Sequence, residues 1–145
     1  VTFTTNLGDF LSLQVLKFAH PKNTDFLDGN WVTTTVNVRV GNFKAEVTAD
    51  LRLDELADFH QQLSDLNSRK INMAEFKTIE GWLEIEVTLS NSGRGVIAGM
   101  AKDSFALTNE NSLRFMLEAD KLNLSNPIRQ LAITLDTFPI RGLDS

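Results

Sequence analysis

A few groups of residues in this chain have the types and spacing from which a site can be built. Glu84 and Glu86 stand two apart, with Trp82 two residues before them. On a strand, residues two apart share a face, so both carboxylates would project together beside a large aromatic ring. Two carboxylates so placed can serve as a glycosidase pair. They can also form an acidic protein-binding face with an aromatic anchor, a residue type that interfaces favour. The plainest alternative is the solvated side of an antiparallel sheet. Ser92-Gly93-Arg94-Gly95 could cradle an anion with its amides and one guanidinium. It lacks the lysine and following helix of a phosphate loop and reads as a hairpin connection. Asp25, Asp28 and Asn30 loosely resemble calcium-ligand spacing, but the glycine and terminal glutamate of such a loop are misplaced. His20 and His60 have no second histidine at ligand spacing and read as structural. There is no cysteine, hence no thiolate metal site and no cysteine nucleophile. No G-x-S-x-G elbow is present for a serine hydrolase. No catalytic set, metal or cofactor is expected.

Composition narrows the choice among these. The net charge is −5 without a basic block, a poor basis for gripping nucleic acid. The same charge suits a basic protein partner, so the acidic binding face ranks first among the functional readings. No apolar run approaches 18 residues, so no membrane-spanning helix is expected. The first ten residues lack a basic region followed by an apolar core, so no intact signal peptide is expected there. The absence of cysteine is compatible with a reducing cytosol. A chain of 145 residues is read as one domain, 1–145, able to bury roughly 68–70% of its unfolded surface without metals or disulfides.

The elements that must hold Trp82, Glu84 and Glu86 are set by periodicity. The central pair of strands spans 31–51 around Gly41-Asn42, a type I′ or II′ hairpin signal. Pairing outward from that turn sets Val40 opposite Phe43, Val38 opposite Ala45, Val36 opposite Val47 and Val32 opposite Leu51. Each pair is apolar, so turn chemistry and face pattern agree. Before it, residues 2–19 read as two strands about a turn near Asn6 to Asp9. There Leu11, Leu13 and Val15 lie on one face and Phe10, Leu16 and Phe18 on the other. Pro21 stops the second strand, and 20–30 is a turn-rich loop. Leu56, Phe59, Leu63 and Leu66 mark one face of a helix over 52–69, with Asp54 and Glu55 in its first turn. A second hairpin pairs 74–79 with 82–89 about Glu80-Gly81. Leu83, Ile85, Val87 and Leu89 point inward; Trp82, Glu84, Glu86 and Thr88 point outward. A weakly patterned strand begins after Gly95, in which Gly99 signals a bulge or a close backbone approach. After a polar turn near Asn109 to Asn111, Leu113 to Ala119 form another half-buried strand. A last helix is capped by Asn126, with Pro127 at its first position, a buried stripe of Ile128, Leu131, Ala132, Leu135 and Phe138, and Pro139 as its stop. No internal repeat is visible. The predicted class is α+β: a curved antiparallel sheet of about six to eight strands with two helices packed on one face.

Four stretches carry a family resemblance: Asp28-Gly29-Asn30-Trp31-Val32, Glu80-Gly81-Trp82-Leu83, Leu113 to Asp120, and Ile128-Arg129-Gln130-Leu131 with Phe138-Pro139 after it. In that order and spacing the chain resembles the WapI-like immunity proteins that bacteria pair with contact-dependent polymorphic toxins. The resemblance implies a small cytoplasmic, non-enzymatic antitoxin that binds the C-terminal domain of a cognate toxin, with a nuclease as one candidate activity of that toxin. It covers about residues 25 to 139. Trp82, Glu84 and Glu86, with Asp25 and Asp28 from the 20–30 loop, are the expected partner-binding residues. From a different class, a carrier enclosing a small apolar ligand would need a pocket of about 300 Å³ or more lined by the inner residues. Neither nucleic acid nor membrane is an expected partner, and the oligomeric state is left open.

Overall fold

The Gly41-Asn42 turn, with Gly41 at a φ of 57° that glycine tolerates without strain, closes a hairpin of two ten-residue strands, β3 (Trp31–Val40) and β4 (Phe43–Arg52). All four predicted pairings are found: Val40 with Phe43, Val38 with Ala45, Val36 with Val47, Val32 with Leu51. The structure, a computed structural model, describes residues 1–103 and 110–143. The predicted turn near Asn109 therefore lies partly outside the described residues.

On the other side of β3 lies β2 (Phe10–Phe18), and beyond it β1 (Thr2–Thr4). The ladder between β2 and β3 slips between Val15 and Lys17. Leu16 is the extra residue, and it is left exposed. This bulge reverses the alternation from Lys17 onward, as one inserted residue must. Phe18 therefore pairs with Val32 and joins the face of Leu11 and Leu13, not that of Phe10 as the unbroken alternation predicts. There it meets Phe138 edge-on at 5.4 Å between ring centroids.

The first helix, α1 (Leu53–Asn67), starts directly from β4 and buries Leu53, Leu56, Phe59, Leu63 and Leu66. It stops where Arg69 takes a left-handed φ of 64° and the Lys70 N–H donates back to the Asp65 carbonyl. Four further strands form a second sheet in chain order: β5 (Met73–Lys77), β6 (Leu83–Leu89), β7 (Gly95–Lys102) and β8 (Ser112–Ala119). Phe76 pairs with Ile85 and Ala74 with Val87, the register that a turn at Glu80-Gly81 sets. The last helix, α2 (Ser125–Thr137), begins two residues before Pro127, with Leu124 at its N-cap and no side-chain cap. Its buried residues are Pro127 and Leu131; Ile128, Leu135 and Phe138 pack part-buried at the margin.

The fold is thus α+β: the described residues form eight antiparallel strands divided between two four-stranded sheets, each succeeded by a helix. The architecture repeats four strands and a helix although the sequence shows no repeat. Each helix also serves the opposite half. Gln62 of α1 accepts from the Glu75 N–H on the edge strand β5 (2.8 Å), and Gln130 of α2 accepts from the Thr2 N–H on the edge strand β1 (2.7 Å). One apolar cluster runs through both halves.

Two glycines are placed by close approach. Gly99 is unbulged, because the β6–β7 register is unbroken, and it sits where a Cβ would lie 2.5 Å from both the Glu84 carbonyl oxygen and the Phe115 ring. Gly29 has the Asp25 and Asn23 carbonyls where its Cβ would be.

Candidate partner-binding face

The alternation in β6 decides which side chains of the second sheet meet solvent. Leu83, Ile85 and Val87 are at most 1% exposed, so Glu84, Glu86 and Thr88 must face out. No helix among the described residues covers them, and both glutamates are exposed. The register places Lys77, Glu84, Met100 and Arg114 in one cross-strand row, and Glu75, Glu86, Ala98 and Met116 in the next. Lys77 opposes Glu84 with opposite charge, a favourable pair; Glu75 opposes Glu86 with like charge, an unfavourable one. The face is bare, as predicted, but its charge is mixed. Arg94 and Glu118 form an exposed ion pair, 2.9 Å, between residues near one end of it.

A depression of about 510 Å³ opens on this face. Its lining includes Glu84 and Glu86, the cations Lys77 and Arg114, and the thioethers Met100 and Met116. The floor is low at Ala98 and Gly99, where large side chains are missing.

The other predicted partner-binding residues lie outside that lining. Trp82 precedes β6; it is part-buried against the edge of the core, and its indole N–H donates to Glu80 Oε2 at 2.9 Å. Asp25 and Asp28 are exposed in the 20–30 loop, where Asp25 Oδ2 accepts from the Asp28 N–H at 2.9 Å. That loop is tied down from beneath. Arg52 donates to the carbonyls of Leu27 and Phe26, pairs with Asp54, and stacks on Phe26 and Trp31. Fully buried Asn30 bridges to the chain end: its Nδ2 donates to the Phe26 and Arg141 carbonyls, and its Oδ1 accepts from the Arg141 N–H. The motif from Asp28 to Val32 is therefore packing and hydrogen bonding in this fold.

Ser92 to Arg94 lies in the β6–β7 connection, with Gly93 at φ 90° and the Arg94 guanidinium on Glu118, and Gly95 opens β7. Among the described residues, no group of three or more His, Asp or Glu side chains is placed to hold a metal ion.

One feature of α1 leaves no mark in the sequence around it. Glu55, read as a helix-dipole residue, has Oε1 sealed from solvent without a hydrogen-bond partner. Burial first, then the neighbouring Asp54 charge and that of Glu80, push its carboxyl up to about 7; the Ile79 N–H and Arg52 pull the other way. It lines a smaller depression, about 180 Å³, between α1 and β5, with Asp54, Asp58, Glu75 and Lys77. Nothing in the sequence near Glu55 signals that the 78–82 turn folds back onto it.

Residues 2–139 match the immunity protein WapI-like family. The chain belongs to that family. The match spans both sheets and both helices, so the bare face of Glu84 and Glu86 belongs to a WapI-like immunity domain. Immunity proteins of this kind work by binding a toxin protein and are typically not enzymes. No curated protein matches the sequence significantly. Among solved structures the chain is similar to one titled as Trypanosoma bruciei MRP1/MRP2. That similarity has a TM-score of 0.48 and 14% identity over 94% of this chain and 82% of the other. A likeness of that grade carries nothing about partners or activity. No helix among the described residues is long and apolar enough to cross a membrane.

Proposed function

We propose that this WapI-like domain neutralises its toxin without catalysis, by laying the outer face of the second sheet over a basic surface of a toxin C-terminal domain in the cytoplasm of the producing cell. The observation that carries this reading is the uncovered depression in which Glu84 and Glu86 stand beside exposed Met116, half-buried Met100 and the two cations. Charged rims around apolar, adaptable side chains are what protein interfaces use, and methionine and arginine are enriched in them. Toxins that cleave nucleic acid grip phosphates with Lys and Arg, and an acidic inhibitor competes for that surface with fast, salt-sensitive association. The like-charged pair Glu75–Glu86 is poorly satisfied within the sheet, which favours a cation arriving from outside.

The test takes the C-terminal domain of the protein encoded immediately upstream as the candidate toxin and uses isothermal calorimetry at moderate salt. Glu84→Lys with Glu86→Lys should leave the circular dichroism spectrum and melting temperature unchanged and weaken binding at least tenfold. Asp28→Lys, which lies outside the depression, should change affinity less. Unchanged affinity in the double variant removes this face from the mechanism. No binding by the wild-type chain removes that toxin as the partner.

A further inference from the structure

The two sheets have four edges, and the described residues treat them unequally. Gln130 of α2 accepts the Thr2 N–H on β1, and Gln62 of α1 accepts the Glu75 N–H on β5. No backbone hydrogen bond from another element reaches the outer edge of β4 among the described residues. β4 is ten residues long, without proline, and its ladder to β3 has no bulge. Short length, proline, bulges and charged side chains are the devices by which exposed edges are usually blunted, and β4 has only the last, in Lys44, Glu46 and Asp50. Burial along β4 fades toward its start: Leu51 and Ala49 are buried, Val47 and Ala45 half-buried, and Phe43 is 65% exposed.

The bonding phase of this edge is set by the turn. A two-residue loop makes Val40–Phe43 a pair that exchanges both backbone bonds, so Phe43, Ala45 and Val47 bond to β3. The N–H and C=O groups of Lys44 and Glu46 therefore point off the sheet.

We propose that β4 is the site of self-association, pairing antiparallel with β4 of a second copy about a two-fold axis through Ala45. In that register Lys44 faces Glu46 of the second copy, twice, and these pairs exchange the free backbone bonds. Phe43 packs beside Val47 of the second copy, again twice, and the two Ala45 residues meet. The alternative centre at Glu46 sets glutamate against glutamate. A centre at Val47 would bring exposed Phe43 to Leu51, which is already buried beneath its own core and flanked by α1. Charge and exposure both select Ala45. The paired stretch is short, so the association belongs to the weak, transient class.

The experiment is sedimentation equilibrium of the full chain up to about 1 mM, where weak association is populated. The mass should rise from 16.2 kDa toward twice that value and no further. Glu46→Lys should weaken self-association at least tenfold, and Lys44→Glu combined with Glu46→Lys should restore it. Because the chain has no cysteine, Ala45→Cys should give a disulfide-linked dimer under mild oxidation. The facing Cα atoms of such a non-hydrogen-bonded pair lie about 4.5 Å apart, within disulfide reach. A constant mass of 16.2 kDa overturns the proposal, as do masses beyond the dimer, an unaffected Glu46→Lys, or cross-linking through Val47→Cys in place of Ala45→Cys.

Discussion

The ring of Phe59 on α1 lies 5.3 Å from that of Phe76 on β5, tilted by 44°, and on its other side it meets Phe3 on β1 at 6.3 Å. One fully buried helical residue thus joins the edge strand of the first sheet to the edge strand of the second. The two halves share a core at this point, so α1 fixes how the bare face of β6 is carried.

Phe59→Ala should lower stability by about 3–5 kcal/mol, the usual cost of deleting a buried phenylalanine and leaving a cavity. Urea unfolding monitored by circular dichroism measures it. Because both sheets lose the same ring, the transition should stay single while its midpoint falls.

Glu55→Gln tests the raised carboxyl. A folded-state value of about 7 against an ordinary 4.5 means that the folded chain holds a proton that the unfolded chain has lost between those values. That contribution is therefore fully present below about 4.5 and is lost as the pH rises to 7 and above. The neutral amide should raise stability at pH 8 by on the order of 1 kcal/mol, discounted because the side chain is only half-buried and solvent screens its charge. At pH 4 the two proteins should be nearly equal. A difference of the same size at both pH values would show that packing, not charge, sets the effect.

Asn30→Ala should cost about 1–3 kcal/mol, because it takes the Asn30 partner from the Arg141 N–H and carbonyl and leaves the Phe26 carbonyl with Arg52 alone. It should also loosen Arg141 from the 20–30 loop, leaving only its guanidinium bonds to the Pro21 and Asn23 carbonyls. Limited proteolysis should cut after Arg141 in the variant well before the wild type.

Gly99→Ala should destabilise by about 1–3 kcal/mol, since the new methyl would lie 2.5 Å from both the Glu84 carbonyl oxygen and the Phe115 ring. The floor of the depression moves with it, so toxin affinity should fall even though no contacting side chain is changed. A melting curve and calorimetry on the same sample separate the two effects.

Period and turn chemistry alone determined much of this protein. The Gly41-Asn42 loop set the β3–β4 register residue by residue, because a two-residue turn leaves only one pairing that keeps valine opposite apolar partners. The spacing of Leu56, Phe59, Leu63 and Leu66 marked the buried side of α1, and the alternation from Leu83 to Leu89 told which side of β6 meets water. The family likeness was legible too, in motifs that the fold uses for packing. The tertiary structure decided the rest. A bulge at Leu16 carried Phe18 to the inner face, because one extra residue inverts a period of two and leaves no mark in composition. The strands parted into two sheets, and the repeat of four strands and a helix appeared without any repeat in residue identity, since many apolar side chains can fill equivalent core positions. Lys77 and Arg114 came to stand in the same row as Glu84 through pairings between β5, β6, β7 and β8 that no local pattern encodes. The raised carboxyl of Glu55 comes from burial and from Asp54 beside it, with a further push from Glu80, 25 residues along the chain in a turn that folds back onto it. Local periodicity is written in neighbouring residues, whereas the meeting of distant segments depends on the summed packing of the whole core.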